Sequence, residues 1–269
     1  MNPILKISNL NVEYPRRPEA VRALHGVSFE LNRGETVAWV GESGCGKTTL
    51  ANAVLGLLPN GGRIVSGSIC WNGTEIANAN DRHLCKIRGS EIAYIPQEPA
   101  LALNPVLRIG TQVEETLRVH RMGTRREMQQ KALDSLRRAG LPEPEAIYNE
   151  SAHRLSGGMR QRAAIAAAIV ANPKCIIADE PTTALDAALR LQILALFQSL
   201  RRDTGASIIM ISHDLARVAD FADRVFVFYA GRIVESGATR EVFSKPAHPY
   251  TKSLLENSGI VVSIGGESP

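Results

Sequence analysis

The sequence predicts an α/β fold: a mixed or parallel sheet covered by helices, with an antiparallel N-terminal sheet and a helical insert. The first observation is three short apolar runs, each typical of a strand buried on both faces: Thr36–Val40, Cys175–Asp179 and Ser207–Ser212. The second is the helical spacing of apolar residues between these runs, at residues 50–58 and 189–202. Strands that alternate with helices favour a parallel sheet with helices on both of its faces.

The N-terminal residues have a different pattern. Apolar residues alternate loosely with polar ones over residues 4–12, and Val21–Leu31 places Val27 and Phe29 on one face. This alternation predicts an antiparallel sheet with one solvated side. Residues 225–235 read as a strand, a turn and another strand.

Between residues 98 and 172 the strand pattern is replaced by polar, arginine-rich segments with scattered leucines. We interpret residues 98–172 as a helical subdomain inserted into a core made of residues 1–97 and 173–257. The glycines of residues 258–269 predict a flexible tail.

Composition limits the classes of function. The chain has 269 residues and a net charge of +4, which suits a protein that meets polyphosphate or an anionic surface. Aromatic residues are only 5%, which argues against base-stacking platforms for nucleic acid. The longest apolar candidate, residues 163–171, is far short of the roughly 20 residues that span a bilayer, so a soluble chain is expected. Cys45, Cys70, Cys85 and Cys175 lack metal-ligand spacing and no secretory signal precedes them, which predicts free thiols in a reducing compartment.

A phosphate-binding loop follows the first buried run. The motif G-x-x-x-x-G-K-[ST] is matched by Gly41-Glu42-Ser43-Gly44-Cys45-Gly46-Lys47-Thr48, and Thr49 extends the expected contact with ATP. Glycines let successive N–H groups point at phosphate oxygens, and Lys47 reaches the β- and γ-phosphates. The Thr48 hydroxyl is a candidate ligand of Mg²⁺. These features predict the core of a P-loop NTPase, with a helix that runs from the loop to Pro59-Asn60-Gly61-Gly62.

Two adjacent carboxylates end the second buried run. Asp179 is expected to hold Mg²⁺ through water, and Glu180 to polarise the attacking water as a general base. With the phosphate loop, this pair predicts an ATPase whose cofactors are ATP and Mg²⁺.

Further segments resemble the ATP-binding-cassette (ABC) ATPases, in that family's order. Leu155-Ser156-Gly157-Gly158-Met159 is similar to the family's signature, with Met159 in place of the usual glutamine. Ser156 is expected to cap a helix over residues 157–171 and to direct its N–H groups outward. The resemblance implies that two cassettes enclose two ATPs head to tail, and that this signature acts on the ATP of the partner subunit.

The resemblance also implies roles for four separate residues. Gln97 matches the glutamine loop, which touches Mg²⁺ and the attacking water. His213 resembles the switch histidine, and Tyr14 lies where the family stacks an aromatic ring on adenine. Asp186, in Ala184-Leu185-Asp186, resembles the loop that contacts the opposite subunit.

Two segments narrow the resemblance to the importers of dipeptides, oligopeptides and nickel: Gln97-Glu98-Pro99-Ala100-Leu101-Ala102-Leu103-Asn104-Pro105 and His248-Pro249-Tyr250-Thr251-Lys252-Ser253-Leu254-Leu255. This implies a second ATPase subunit, expected to be a different chain, two transmembrane permease subunits and an extracytoplasmic solute-binding protein. The chain would then lie peripherally on the cytoplasmic face of the bacterial inner membrane. No nucleic acid partner is expected. Since no cysteine follows Cys175, no iron–sulfur centre is expected either.

Alternatives remain open at this point. Peptide uptake is the first hypothesis, and a nickel or metal-chelate importer is the second. The third hypothesis is a soluble cassette ATPase that acts on DNA or ribosomes. The absence of coiled-coil or zinc-bearing insertions argues against it. A binding-only cassette is a fourth, against which Glu180, His213 and Gln97 argue.

Overall fold

The computed structural model describes residues 2–16, 19–181 and 187–258. These residues form two compact units: unit 1 comprises Met1–Asp81 and Ile209–Pro269, and unit 2 comprises Arg82–Ile208. Each unit is described by itself.

Strands and helices alternate along most of the chain. The strands are β1 (Leu5–Tyr14), β2 (Val21–Leu31), β3 (Thr36–Val40), β4 (Arg63–Trp71), β5 (Thr74–Glu75), β6 (Ile92–Ile95), β7 (Cys175–Asp179), β8 (Ser207–Ser212), β9 (Arg224–Tyr229) and β10 (Arg232–Ala238). The helices are α1 (Lys47–Leu55), α2 (Asp81–Ile87), α3 (Ile109–Val113), α4 (Glu115–Val119), α5 (Arg125–Arg138), α6 (Pro144–Asn149), α7 (Gly157–Ile169), α8 (Ala187–Thr204), α9 (Leu215–Ala219), α10 (Thr239–Ser244) and α11 (Pro249–Asn257), with short 3₁₀ turns at Pro99–Ala102 and Ala152–Arg154.

Unit 1 contains the predicted antiparallel sheet, with strand order β2-β1-β4-β5. Strand β1 pairs with β2 from Leu5↔Leu31 to Tyr14↔Val21. The apolar side chains of β1 are buried and its polar ones are partly solvated, as expected when only one face of a sheet is covered. The expected N-terminal sheet is therefore confirmed.

A second group of strands in unit 1 carries the phosphate loop. Its order is β10-β9-β3-β8, with β3 parallel to β9 and β9 antiparallel to β10. All five residues of β3 are buried. The ring of Phe29 on β2 contacts Trp39 on β3 edge-on, with centroids 5.2 Å apart, and Phe226 on β9 at 4.7 Å. These aromatic contacts pack the two groups of strands together and fix the position from which the loop leaves β3.

Unit 2 combines two parallel strands with several helices. Strands β6 and β7 pair in parallel from Ile92↔Cys175 to Ile95↔Ala178. Helix α7 is the central helix, in contact with α3, α5 and β6. The Ser135 hydroxyl of α5 donates to the Ala166 carbonyl of α7 at 2.7 Å. Helices dominate residues 98–172, as predicted. The boundaries of the inserted subdomain, at residues 98 and 172, remain a prediction.

Two expectations about secondary structure need correction. Helix α1 does not run to residue 59: it ends at Leu55, because Gly56 adopts a left-handed conformation (φ 62°) and its N–H bonds back to the Ala53 carbonyl. Strands β4 and β6 have no counterpart in the prediction. The expected tail cannot be compared, since residues 259–269 lie outside the described part of the chain.

Candidate nucleotide-binding site

The predicted phosphate loop lies in unit 1 between β3 and α1. Three of its glycines adopt positive φ: Gly41 at 146°, Gly44 at 81° and Gly46 at 108°. Such angles are strained for any residue with a Cβ atom, so the glycine spacing of the motif is a conformational requirement. The chain curls between the end of a buried strand and the first turn of a nine-residue helix.

Lys47 lies inside this curl. Its side chain is nearly fully buried, and its Nζ donates to the Gly41 carbonyl at 2.7 Å and to the Glu42 carbonyl at 2.8 Å. The Cys45 thiol lies 3.4 Å from the same Nζ. The loop thus holds one positive charge in a fixed place at the N-terminus of α1.

Neighbouring strands also leave little room for a Cβ atom at two of the glycines. A Cβ atom on Gly41 would lie 2.3 Å from the Phe228 carbonyl oxygen, and one on Gly46 would lie 2.8 Å from Leu24 Cδ2. The Gly231 N–H, in the β9–β10 turn, donates to the Cys45 carbonyl at 3.0 Å. The loop therefore rests on the surrounding strands.

The outer side of the loop fits a polyphosphate. Glu42, Ser43, Gly44 and Thr48 are exposed, and Thr49 is half-buried. Gly46 caps α1 without any side-chain hydrogen bond to the helix, so no capping side chain competes with an anionic ligand at this helix N-terminus. Thr48 lies in that first turn, where its hydroxyl could hold a metal bound to the same phosphates.

Two other predicted residues lie in unit 1. Tyr14, at the end of β1, is half-buried and lines a cavity of about 470 Å³ with Arg16, Gly61 and Arg63, among others. Its ring lies close to Gly62, where a Cβ atom would come within 2.5 Å of the ring atom Cε1. His213 is exposed and directly follows β8, in a turn where the Asp214 N–H donates to the Ser212 hydroxyl at 3.0 Å.

The acidic pair lies in unit 2, at the carboxyl end of β7. Asp179 is buried, and the Tyr94 hydroxyl on β6 donates to its Oδ2 at 3.2 Å. Burial raises the pKa of Tyr94, and the adjacent Asp179 carboxylate raises it further, so the phenol stays protonated at neutral pH. Tyr94 was not predicted as a site residue, because nothing near it in the sequence indicates its contact with Asp179, 85 positions away.

Glu180 and Gln97 lie at the same edge of this pair of strands. Glu180 follows β7 with φ 48°, a left-handed conformation that is unusual for a residue with a side chain. Gln97 is exposed and lies two residues beyond the end of β6. Because β6 and β7 are parallel, their carboxyl ends meet at one edge. Strained backbone beside paired acids is a frequent property of functional sites.

The predicted signature begins helix α7, also in unit 2. The Ser156 hydroxyl accepts from the Met159 N–H at 3.3 Å, which confirms the predicted cap. Leu155 is buried, whereas Ser156 and Gly157 are exposed and a Cβ atom on Gly157 would meet nothing within 4 Å.

A contact that the sequence did not predict connects α7 to the acidic pair. Gln161 is buried, and its side-chain amide donates to the Pro181 carbonyl, one residue after Glu180. Helix α7 is thereby fixed to the turn that follows β7 in its own unit. Asp186 lies outside the described residues.

These features are typical of α/β proteins that bind nucleotide phosphates: a glycine-rich loop, a buried lysine, an exposed helix N-terminus and an acidic strand end. Residues 24–183 match the ABC transporter family. The chain is 43% identical over 262 residues to the oligopeptide transport ATP-binding protein AppD of Bacillus subtilis (strain 168), covering 97% of this chain and 80% of that protein. It is also 43% identical over 256 residues to the dipeptide transport ATP-binding protein DppD of the same organism, covering 95% and 76%.

The fold agrees with this relationship. A dimeric structure of an ATP-binding cassette in a post-hydrolysis state, bound to ADP and Pi, superimposes with a TM-score of 0.79 at 30% identity, covering 87% of this chain and 98% of that one. The chain belongs to the ABC transporter family and carries its ATPase domain. Among the described residues, no helix combines the length and apolar composition needed to cross a bilayer.

Proposed function

We propose that this chain is the ATP-binding, ATP-hydrolysing subunit of a bacterial peptide importer, and that it binds Mg-ATP through the loop at residues 41–49. The observation that carries the proposal is the buried Lys47 ammonium, held by two loop carbonyls at the start of α1. In that place it meets the β- and γ-phosphates, while the first-turn N–H groups of α1 bind the remaining oxygens.

Asp179, Glu180 and Gln97 are proposed to act on the same nucleotide. Mg²⁺, held by Thr48, Asp179 and Gln97, would neutralise charge on the phosphates. Tyr94 keeps one oxygen of Asp179 in a fixed direction, which orients the carboxylate. Glu180 accepts a proton from the attacking water as the general base. His213 lies on the γ-phosphate side of the proposed site as the switch histidine. The Tyr14 ring stacks on adenine.

Replacing Glu180 by Gln tests this assignment. ATP binding should be retained, whereas hydrolysis should fall by at least about 100-fold because the general base is lost. Glu145→Gln, an exposed position in the same unit, is the matched control and should hydrolyse ATP normally. Full turnover by the Glu180 variant would refute its role, and absence of Mg²⁺-dependent ATP binding by the wild-type chain would refute the proposal.

The signature is proposed to serve a nucleotide bound by a second ATPase subunit. Ser156, Gly157 and Gly158 present the N-terminus of the 13-residue helix α7 at an exposed position with open space in front of Gly157. A helix terminus of this kind binds a γ-phosphate. Leu155, which is buried just before the helix, and Met159, whose N–H bonds to Ser156, complete the proposed signature. Asp186 would contact the same partner, which we propose to be a different chain. The dimeric assembly of the related cassette supports this arrangement.

Unit 2 also carries a surface suited to the membrane subunits. Arg108, Arg118 and Arg125 line a cavity of about 590 Å³ together with Glu114 and Tyr148, among others. Glu114 is buried, accepts a hydrogen bond from the Tyr148 hydroxyl and lies 3.2 Å from Arg118 Nη2. Three guanidinium groups around one carboxylate leave a net positive cavity that fits an acidic segment of a partner.

Exposed apolar side chains adjoin this basic cavity. Val106 is 73% exposed and Leu107 is 45% exposed, just before Arg108. Their loop is held in place by Gln112, whose Oε1 accepts from the Asn104 N–H at 2.7 Å and whose Nε2 donates to the Leu107 carbonyl at 3.1 Å. Apolar groups fixed in an exposed position are typical of a contact surface. We propose that the cytoplasmic segments of two permease subunits bind here, which places the chain at the inner face of the membrane.

Charge reversal at Arg125 tests the docking surface. Arg125→Glu should reduce co-purification with the permease subunits and leave the fold intact, because an acidic residue in the first turn of α5 favours the helix dipole. Arg126→Glu, the adjacent and exposed first-turn position, is the matched control. Equal assembly of both variants would place the membrane contact elsewhere.

Peptides are the proposed solute, since the relatives compared above are named for oligopeptide and dipeptide transport. The solute is selected by the binding protein and permease subunits, so the test is ligand identification on the binding protein that delivers to this complex. Mass spectrometry that finds peptides would support the assignment. A metal chelate as the bound ligand would contradict it.

A further inference from the structure

The segment His248-Pro249-Tyr250 begins helix α11 and has no role in the site described so far. His248 is the N-cap of that helix, with Pro249 at its first position. The His248 Nδ1 accepts a hydrogen bond from the Tyr250 N–H at 3.2 Å. The imidazole therefore does what a Ser, Thr, Asn or Asp side chain usually does, and it fixes the backbone of Tyr250.

A carboxylate on β10 anchors the start of this segment. Glu235 Oε1 accepts from the Ala247 N–H at 2.7 Å, and its Oε2 accepts from the His248 N–H at 3.0 Å. Burial acts to raise the pKa of Glu235, but the hydrogen bonds that the carboxylate accepts, these two amides among them, contribute to a net lowering of the pKa. The carboxylate is thus ionised at neutral pH, and the entry into α11 is fixed to the sheet of unit 1.

Helix α11 packs against the strand that leads into the phosphate loop. Leu255 is buried in one apolar cluster with Ala38 and Val40 of β3, and Tyr250 packs against the same cluster. Val40 is the residue immediately before Gly41. The position of α11 is therefore determined by the element that also positions the loop.

The side chain of Tyr250 reaches the loop itself. Its hydroxyl oxygen accepts from the Glu42 N–H at 3.1 Å. Its ring packs against Tyr229 with centroids 4.5 Å apart. Burial raises the pKa of Tyr250, so the hydroxyl stays neutral under physiological conditions.

This contact acts on the residue that holds the phosphate-binding lysine. The Glu42 carbonyl accepts from Lys47 Nζ at 2.8 Å, while the Glu42 N–H is held by Tyr250. Both backbone polar groups of Glu42 are thus engaged, one by the helix of the His-Pro-Tyr segment and the other by Lys47. A rotation of this residue would move the carbonyl to which the ammonium is bonded.

We propose that Tyr250 is a positioning residue for nucleotide binding: through the Glu42 backbone it pre-organises the phosphate loop around Lys47, with His248 and Glu235 holding it in place. The proposal deepens the proposed function and rests on it. Because a pre-organised loop loses less freedom when it binds phosphate, the expected effect is on nucleotide affinity, with little effect on the rate of hydrolysis at saturation.

Tyr250→Phe tests the proposal, because it removes one hydroxyl and keeps the ring against Tyr229. Mg-ATP binding to the full chain, measured by calorimetry, should weaken by about threefold to tenfold, the size expected for one hydrogen bond. AMP, which lacks the β- and γ-phosphates, should bind the variant and the wild type equally. Tyr229→Phe makes the same chemical change in the other ring of the pair and should bind ATP like the wild type.

His248 provides the second arm. His248→Ala should weaken ATP binding in the same direction as Tyr250→Phe, and His248→Asn should restore affinity because its Oδ1 can cap the helix. Wild-type ATP affinity in Tyr250→Phe would overturn this inference alone. Equal weakening of AMP and ATP together with a lowered Tm would also overturn it, since the hydroxyl would then act on the fold. Failure of the wild-type chain to bind any adenine nucleotide would overturn the proposed function and this inference with it.

Discussion

The phosphate loop of unit 1 and the signature of unit 2 both place glycines at a helix N-terminus, but for different physical reasons. Gly41, Gly44 and Gly46 have positive φ angles, and a Cβ atom on Gly41 or Gly46 would clash with neighbouring strands. Gly157 lies within an ordinary helix, and a Cβ atom there would meet nothing within 4 Å. The loop needs glycine for its conformation, whereas we propose that Gly157 of the signature keeps the space in front of the helix open.

The caps of the two helices differ in the same way. Helix α1 is capped by Gly46, which makes no side-chain hydrogen bond to the first turn. Helix α7 is capped by Ser156, whose hydroxyl satisfies the Met159 N–H. We propose that the loop encloses its ligand within one unit, whereas the signature helix is already capped and presents an exposed surface. This agrees with a site that a second subunit completes.

The substitution Gly41→Ala is the strongest test of the difference between the two glycine sites. The substitution puts a Cβ atom 2.3 Å from the Phe228 carbonyl oxygen at φ 146°. Since the obstacle is backbone, we expect a loss of at least about 3 kcal/mol in the free energy of unfolding, and loss of ATP binding. Urea denaturation and calorimetry would measure both.

Gly73→Ala is the control for positive φ without a clash. Gly73 has φ 78° in the β4–β5 turn, and a Cβ atom there would meet nothing within 4 Å. We expect it to cost about 1 kcal/mol of stability and to leave ATP binding unchanged. If Gly41→Ala were as mild as this control, the contact with Phe228 would not constrain the loop.

Alanine at Gly157 should have a smaller effect and a different one. Alanine favours the helix over glycine, so the free energy of unfolding should be unchanged or slightly higher. ATP binding by the single subunit should also be unchanged. Hydrolysis by the assembled pair should fall by about tenfold or more, because the added methyl occupies the space expected for the partner's γ-phosphate. Normal hydrolysis by the assembled variant would break the contrast drawn between the two glycine sites.

The sequence was sufficient to predict features that depend on residues close together in the chain. Strands β3, β7 and β8 were predicted because they are short apolar runs, and the loop because its glycine spacing is fixed by the phosphate it binds. Strand β4 was missed because most of its residues are partly or fully exposed, and it forms by pairing with β1. Its existence depends on a partner distant in the chain, which composition does not show.

The same limit applies to the site. The end of α1 was placed too late, because Gly56 ends the helix before the more obvious glycine cluster. Tyr94 and Asp179 are separated by 85 positions, and Glu42 and Tyr250 by 208. Such contacts depend on how strands and helices assemble in space. The sequence therefore indicated the groups that we propose to meet the nucleotide, but not the tyrosines that contact them.

The smallest expected effect concerns one of those tyrosines and extends the comparison to unit 2. Tyr94→Phe removes the hydrogen bond to Asp179 Oδ2 and keeps the ring in place. The loss of one hydrogen bond to a buried carboxylate should raise the Mg²⁺ concentration needed for half-maximal hydrolysis by about threefold to tenfold, since Asp179 is less well oriented. The maximal rate at saturating Mg²⁺ should change little. Tyr148→Phe, which removes a hydroxyl bonded to Glu114 in the same unit, should leave the Mg²⁺ dependence unchanged. An unaltered Mg²⁺ dependence in Tyr94→Phe would mean that the buried strand end orients Asp179 without this hydroxyl.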